Sequence, residues 1–158
     1  MKTDTFLVLT PDLVNDNTIL EDYCDKIGIN EKCEIVHVIV NVSIAKETIN
    51  IGGETGHWAY CAILGENKIV YGDPMGNDHL PTDLMKHLNP IYKYKFRKDC
   101  TDVGVINLSS RPNFHWQQCA TICGIVCCLV ALAATNRKVY FEIIQGSKRN
   151  KAFQMLKT

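Results

Sequence analysis

The spacing of apolar residues changes several times along this chain, and each change marks an element. After a short apolar stretch, "TFLVL" at residues 5–9, the positions Ile19, Leu20, Tyr23, Cys24 and Ile27 recur on one helical face. Asn17 suits the start of that helix and Gly28 its end. "CEIVHVIVNVS" is β-branched enough to predict a strand over 33–43. "HWAYCAIL" and "KIVYGD" flank "GEN", a pattern that predicts a hairpin with a three-residue loop. A short helix follows from about Thr82 in "PTDLMKHL", and "IYKYKF" alternates like a strand. "VGVINL" reads as a further strand and "VYFEII" as a late one, with a small helix in the last residues. Between them "ICGIVCCLVALAA" is apolar on every face, which predicts a central, fully buried helix. Strands with one buried helix and peripheral helices define an α+β protein.

Nothing in the chain divides it: no repeat, low-complexity tract or Pro/Gly linker interrupts residues 1–158, so a single domain is expected. At 158 residues and 46% hydrophobic content, the chain can bury a core of its own. Lys+Arg and Asp+Glu are 17 each, so charge gives no support for nucleic acid or a membrane surface as a partner. The basic clusters Lys93, Lys95, Arg97, Lys98 and Lys148, Arg149, Lys151 read as solvated side chains. The N-terminus lacks the apolar core and cleavage site of a signal peptide, and the longest apolar run, Ile122 to Ala134, is too short to span a bilayer. Eight cysteines without a secretory signal are then expected as free thiols in a reducing cytoplasm or nucleus.

Four of those cysteines crowd into "NFHWQQCATICGIVCC", residues 113–128. A metal site is disfavoured. Structural zinc uses ligand pairs two to four residues apart on tight loops, whereas Cys119, Cys123 and Cys127 would line up along one helix. The iron–sulfur spacing C-x3-C-x2-C fails because Val126 stands where its third cysteine belongs. No metal and no cofactor are therefore expected. For Cys24, Cys33, Cys61, Cys127 and Cys128 burial in the core is the expectation. Cys123 differs: with Thr121 as a cap it falls in the first turn of the apolar helix, where unpaired N–H groups and the helix dipole favour a thiolate. Gly124 beside it lets another backbone come close. That is the setting of a nucleophile.

A nucleophile requires a base, and His37, His57, His79, His87 and His115 are the candidates. The hairpin singles out one of them. If Leu64 pairs with Lys68 across "GEN", His57 lies opposite Met75, and Asp73 is one diagonal step from His57 on the same face, roughly 5–8 Å between Cβ atoms. An imidazole and a carboxylate able to orient it then share one end of the ribbon. A loop one residue shorter would separate them.

Together "GETGHWAYCAIL", "IVYGDPMGN" and "QQCATICGIVCC" resemble the clan of cysteine peptidases that contains the adenovirus maturation protease (adenain) and the SUMO- and ubiquitin-like-protein proteases. The clan's order is His-Trp, an acid at a strand end, Gln, then Cys-Gly; here His57-Trp58, Asp73, Gln117 and Cys123-Gly124 follow it over about residues 52–130. The resemblance implies a papain-like core of adenain type: a mixed central sheet and a buried helix carrying the nucleophile at its N-terminus. It makes Cys123 the nucleophile, His57 the general base and then acid, Asp73 the residue that orients the imidazole, and Gln117 a donor to the oxyanion hole. Gln118 is a rival for the last role. His115-Trp116 is a second His-Trp pair without a hairpin partner to supply an acid.

Trp58 would narrow the channel so that only glycine or small residues pass the thiol, with Gly124 also beside the substrate. "ETGHW", "CGIVCC" and the small size look like the adenovirus branch; Asp73 and the six-residue step from Gln117 to Cys123 look like the ubiquitin-like-protein branch. The reading that results is a thiol endopeptidase cutting after Gly or small residues in viral or mobile-element structural precursors, located in a virion or infected cell. Its partner is a protein or peptide with a Gly-rich cleavage site. The alternatives are an isopeptidase acting on SUMO, ubiquitin or a related protein, and a catalytically silent module that binds a glycine tail.

Overall fold

The computed structural model describes residues 3–43, 45–51, 56–110 and 123–145. Its elements run β1 (Thr3–Val8), α1 (Pro11–Asn15), α2 (Asn17–Ile27), β2 (Cys33–Ser43), β3 (Thr48–Ile49), β4 (His57–Ile63), β5 (Lys68–Gly72), α3 (Leu84–Phe96), β6 (Gly104–Asn107), a 3-10 turn (Leu108–Ser110), α4 (Cys123–Ala133) and α5 (Arg137–Gln145). The six strands form one mixed sheet in the order β1-β2-β4-β5-β6, with β3 alongside β2. β1 and β6 run parallel to their neighbours, whereas β4 is antiparallel to both β2 and β5. The fold is α+β.

Both faces of the sheet are covered. On one, Val36, Val38, Ala59, Cys61 and Ile63 pack with Leu20 and Cys24 of α2 and with Leu88 and Ile91 of α3. On the other, Ile35, Tyr60, Ala62 and Val70 pack with Cys127, Val130 and Ala131 of α4 and with Tyr140, Ile143 and Ile144 of α5. Six of the seven residues of β4 are buried, which is why its sequence is an almost continuous apolar run rather than an alternating one.

The hairpin has the expected register. Leu64 N–H donates to the Lys68 carbonyl (3.0 Å), and Ile63 faces Ile69 and Tyr60 faces Gly72. β2 spans the predicted residues, and Gly28 ends α2 in a left-handed conformation (φ 85°) open to glycine at little cost.

Other expectations are corrected. Asp16, not Asn17, caps α2, its carboxylate accepting from the N–H groups of Thr18 and Ile19. "IYKYKF" is not a strand but the second half of α3, which continues through Pro90. Leu84, Leu88, Ile91 and Tyr92 form one buried helical row across the proline, and burying that row outweighs the lost N–H. "VYFEII" is likewise helical. Asn136 starts α5 by accepting from the N–H groups of Val139 and Tyr140, and Tyr140, Ile143 and Ile144 are buried at helical spacing. α4 is not buried all round: Cys127 and Val130 are in the core, but Leu132 is 61% exposed and Cys128 is exposed as well, contrary to the expectation for that thiol. The small helix predicted for the last residues lies outside the described residues.

A polar chain, buried at His37, Tyr60 and Tyr140, ties β1, β2, β4 and α5 together. Arg137 holds Asp4 through both carboxylate oxygens, and Asp4 Oδ2 is 2.9 Å from His37 Nε2. His37 Nδ1 meets the Tyr60 hydroxyl at 2.5 Å, which meets that of Tyr140 at 2.6 Å, while Phe6 stacks on the imidazole. Burial lowers the affinity of His37 for a proton and Arg137 lowers it further, more than Asp4 restores it. The unfolded chain then takes up a proton below about pH 6.5 that the native His37 resists. For Asp4, burial raises the pKa but Arg137 and His37 bring it below the ordinary carboxylate value, so its contribution too is lost in acid. The urea midpoint should therefore fall as pH drops from 7.5 towards 5, and His37→Gln should flatten that dependence. An unchanged slope in the variant would exclude His37 as its source.

Candidate active site

Gly56 opens the site. Its φ is +134°, and a Cβ built there would lie 2.5 Å from Asn41 Oδ1 and 2.5 Å from the Val42 carbonyl oxygen. Only glycine lets the chain pass so close to β2 before it enters β4. His57 follows at the first position of β4, opposite Val42. Asp73 is the first residue beyond β5. It begins the turn Asp73-Pro74-Met75-Gly76, closed by Gly76 N–H donating to the Asp73 carbonyl at 2.8 Å.

These two ends meet in the interior. His57 Nε2 is 2.5 Å from Asp73 Oδ2, with the two side chains 3% and 1% exposed. Asp73 Oδ1 accepts from Met75 N–H at 2.9 Å, so both carboxylate oxygens are engaged. The other imidazole nitrogen, His57 Nδ1, is buried without a hydrogen-bond partner among the described residues. With Nε2–H donated to a carboxylate, Nδ1 carries the lone pair. Such an imidazole is oriented to take a proton at Nδ1, and the carboxylate stabilises the cation that results.

Of the remaining predicted site residues, Trp58 pairs with Asn41 across β2 and β4 and packs, partly buried, on the α4–α5 side of the sheet. Cys123 is the first residue of α4, and Gly124 the second. The Cys123 side chain lies outside the described residues, as do Gln117, Gln118, His115, Trp116, Cys119 and Thr121, the residue expected to cap the helix. The sheet and hairpin thus bring His57 and Asp73 together, and the helix places Cys123 at its start.

Cys24, Cys61 and Cys100 are poor nucleophiles. Burial, with Glu21 nearby, pushes Cys24 up to about 11, and burial alone raises Cys61 and Cys100; they hold their protons at neutral pH. Among the described residues no group of three or more His, Cys, Asp or Glu could hold a metal ion, and no helix is long and apolar enough to cross a membrane. A surface groove of about 740 Å³ lies elsewhere, between Phe6, Ile19, Ile39 and Leu132, and contains none of the predicted site residues.

One contributor escaped the sequence reading. Asp73 N–H donates to Ser109 Oγ at 2.6 Å, with Ser109 completely buried. The signal for it was an Asn and a Ser closing the strand "VGVINLSS", residue types whose side chains bond nearby backbone.

No family model matches the chain, and no curated protein does. Among solved structures it is similar to the crystal structure of the selenomethionine form of the ASFV pS273R protease, at 19% identity and a TM-score of 0.49. The match takes in 79% of this chain and 42% of that one, so this chain spans less than half of that protein's length. The likeness concerns the overall fold and assigns no residue a role.

Proposed function

We propose that the chain is a cysteine endopeptidase in which His57 and Asp73 serve a thiolate at Cys123, cutting after glycine or another small residue. The observation that carries this reading is the buried His57–Asp73 pair, 2.5 Å apart, with His57 Nδ1 left without a partner among the described residues. A buried imidazole with one nitrogen tied to a carboxylate and the other unoccupied is built for proton transfer, and an unsatisfied buried polar atom without a task is costly. Cys123 at the start of an eleven-residue helix supplies the thiol whose proton His57 would take.

In the proposed cycle Cys123 Sγ gives its proton to His57 Nδ1 and attacks the carbonyl carbon of the scissile bond. Gln117 donates to the resulting oxyanion. The imidazolium returns the proton to the leaving amine as the thioester forms, and water, deprotonated by His57, then releases the acid. Trp58 and Gly124 bound the channel for the small residue, which fits Gly-rich sites in viral or mobile-element precursors.

Iodoacetamide labelling followed site by site tests the pair. Cys123 should remain reactive below pH 7 in the native protein and lose that reactivity in His57→Ala, with the exposed Cys128 as internal comparison. Labelling at Cys123 that is indifferent to His57 would defeat the proposal. A second reading, an isopeptidase for ubiquitin-like proteins, is favoured by Asp73 as the acid and by the six-residue step from Gln117 to Cys123. A panel of C-terminally labelled ubiquitin-like proteins separates the two.

A further inference from the structure

We infer that Ser109, supported by Asn107, is a positioning residue for the proposed acid Asp73; this rests on the function proposed above. β5 and β6 pair in parallel with a constant offset, Lys68 facing Gly104, Val70 facing Ile106 and Tyr71 facing Asn107. Two residues further, the same offset sets Asp73 beside Ser109. At that point β6 has already turned into the 3-10 turn Leu108–Ser110. The acceptor for Asp73 N–H is accordingly a side chain, Ser109 Oγ at 2.6 Å, where an unbroken strand would offer a carbonyl.

The clip has a second half. Asn107 Oδ1 accepts from Ser109 N–H at 3.0 Å, and Asn107 Nδ2 donates to the Asp78 carbonyl at 2.6 Å. Ser109 thus grips the segment 73–78 at its first residue and Asn107 at its last. Asp73 bonds His57 through Oδ2 and Met75 N–H through Oδ1. With its own N–H held as well, the carboxylate is set in position by the main chain rather than by side-chain torsions alone. Deleting the hydroxyl leaves a buried N–H seeking another acceptor, and the carboxylate moves with it. A displacement of an orienting group is felt in the chemical step and not in substrate binding.

The test uses the full chain with a Gly-rich peptide and site-resolved iodoacetamide labelling of Cys123. Ser109→Ala should lower kcat about 10-fold with KM within about twofold, and should move the alkaline limb of the rate profile to lower pH, since a loosened carboxylate supports an imidazolium less well. Ser109→Thr should restore wild-type values. Because Ser109→Ala removes a buried hydrogen bond, Ser109→Val provides the control for shape: it matches threonine in volume and lacks only the hydroxyl. Loss in Ser109→Val with rescue in Ser109→Thr supports the assignment, whether or not Ser109→Ala folds. Equal behaviour of the threonine and valine variants overturns it. If the wild-type protein labels at Cys123 independently of His57, the proposed function fails and this inference with it; if wild type behaves as proposed and the Ser109 variants match it, only the inference falls.

Discussion

Cys123→Ala should abolish cleavage of a glycine-containing peptide, lowering kcat/KM by about 10⁴-fold or more while the protein stays folded. Removing the nucleophile of a coupled set leaves only binding and oxyanion stabilisation, so single deletions cost nearly as much as removing the whole set. Alanine suits a helical position and adds no volume, so the urea midpoint should shift little. His57 remains beside Asp73 in this variant, and the isolated pair has no covalent path. The comparison is a progress curve of peptide cleavage against wild type at equal concentration. Retention of full activity would transfer the nucleophile elsewhere, and the exposed Cys128, five residues along the same helix, is the first residue to examine.

Gly56→Ala should strongly destabilise the fold. The new Cβ would stand 2.5 Å from a backbone oxygen, that of Val42, and 2.5 Å from Asn41 Oδ1, at a φ of +134° that side chains rarely adopt. The Asn41 amide can swing aside; the Val42 carbonyl belongs to the interior strand β2 and cannot. Steric conflict and backbone strain together give about 2–4 kcal/mol, or a drop of about 1 M or more in the urea midpoint for a domain of this size. Because Gly56 hands the chain directly to His57, catalysis should fall further than the loss of folded protein explains. Gly65→Ala is the control, since no atom lies within 4 Å of a Cβ there. Equal midpoints for the two variants would show that β2 and the entry to β4 adjust freely.

The parts of the fold legible in the sequence are those set by short-range rules. A three-residue loop between two strands fixes which residues face each other as far as Tyr60 and Gly72. Beyond that Asp73 leaves the ladder in a turn rather than pairing on to set Met75 opposite His57, and the turn completes the contact with His57. A glycine after an amphipathic run ends α2. Cys123 at the head of an apolar run begins α4. Where two structures share one local pattern, counting fails. "IYKYKF" alternates like a strand, yet it prolongs α3, because Ile91 and Tyr92 extend the buried row of Leu84 and Leu88. "VYFEII" has strand-forming residues but packs as α5, where Tyr140, Ile143 and Ile144 share one buried face, Tyr140 meets Tyr60 and Arg137 meets Asp4.

By itself, then, the sequence determined the hairpin, its register and the order of the chemical groups, because these depend on neighbours a few residues apart. The tertiary structure alone decided that the His57–Asp73 pair is sealed from water, that Cys128 faces outward and that Ser109 completes a rung for Asp73. Each of those depends on which distant segment comes to lie against it, and burial against a partner 36 residues away leaves no periodic trace in the chain.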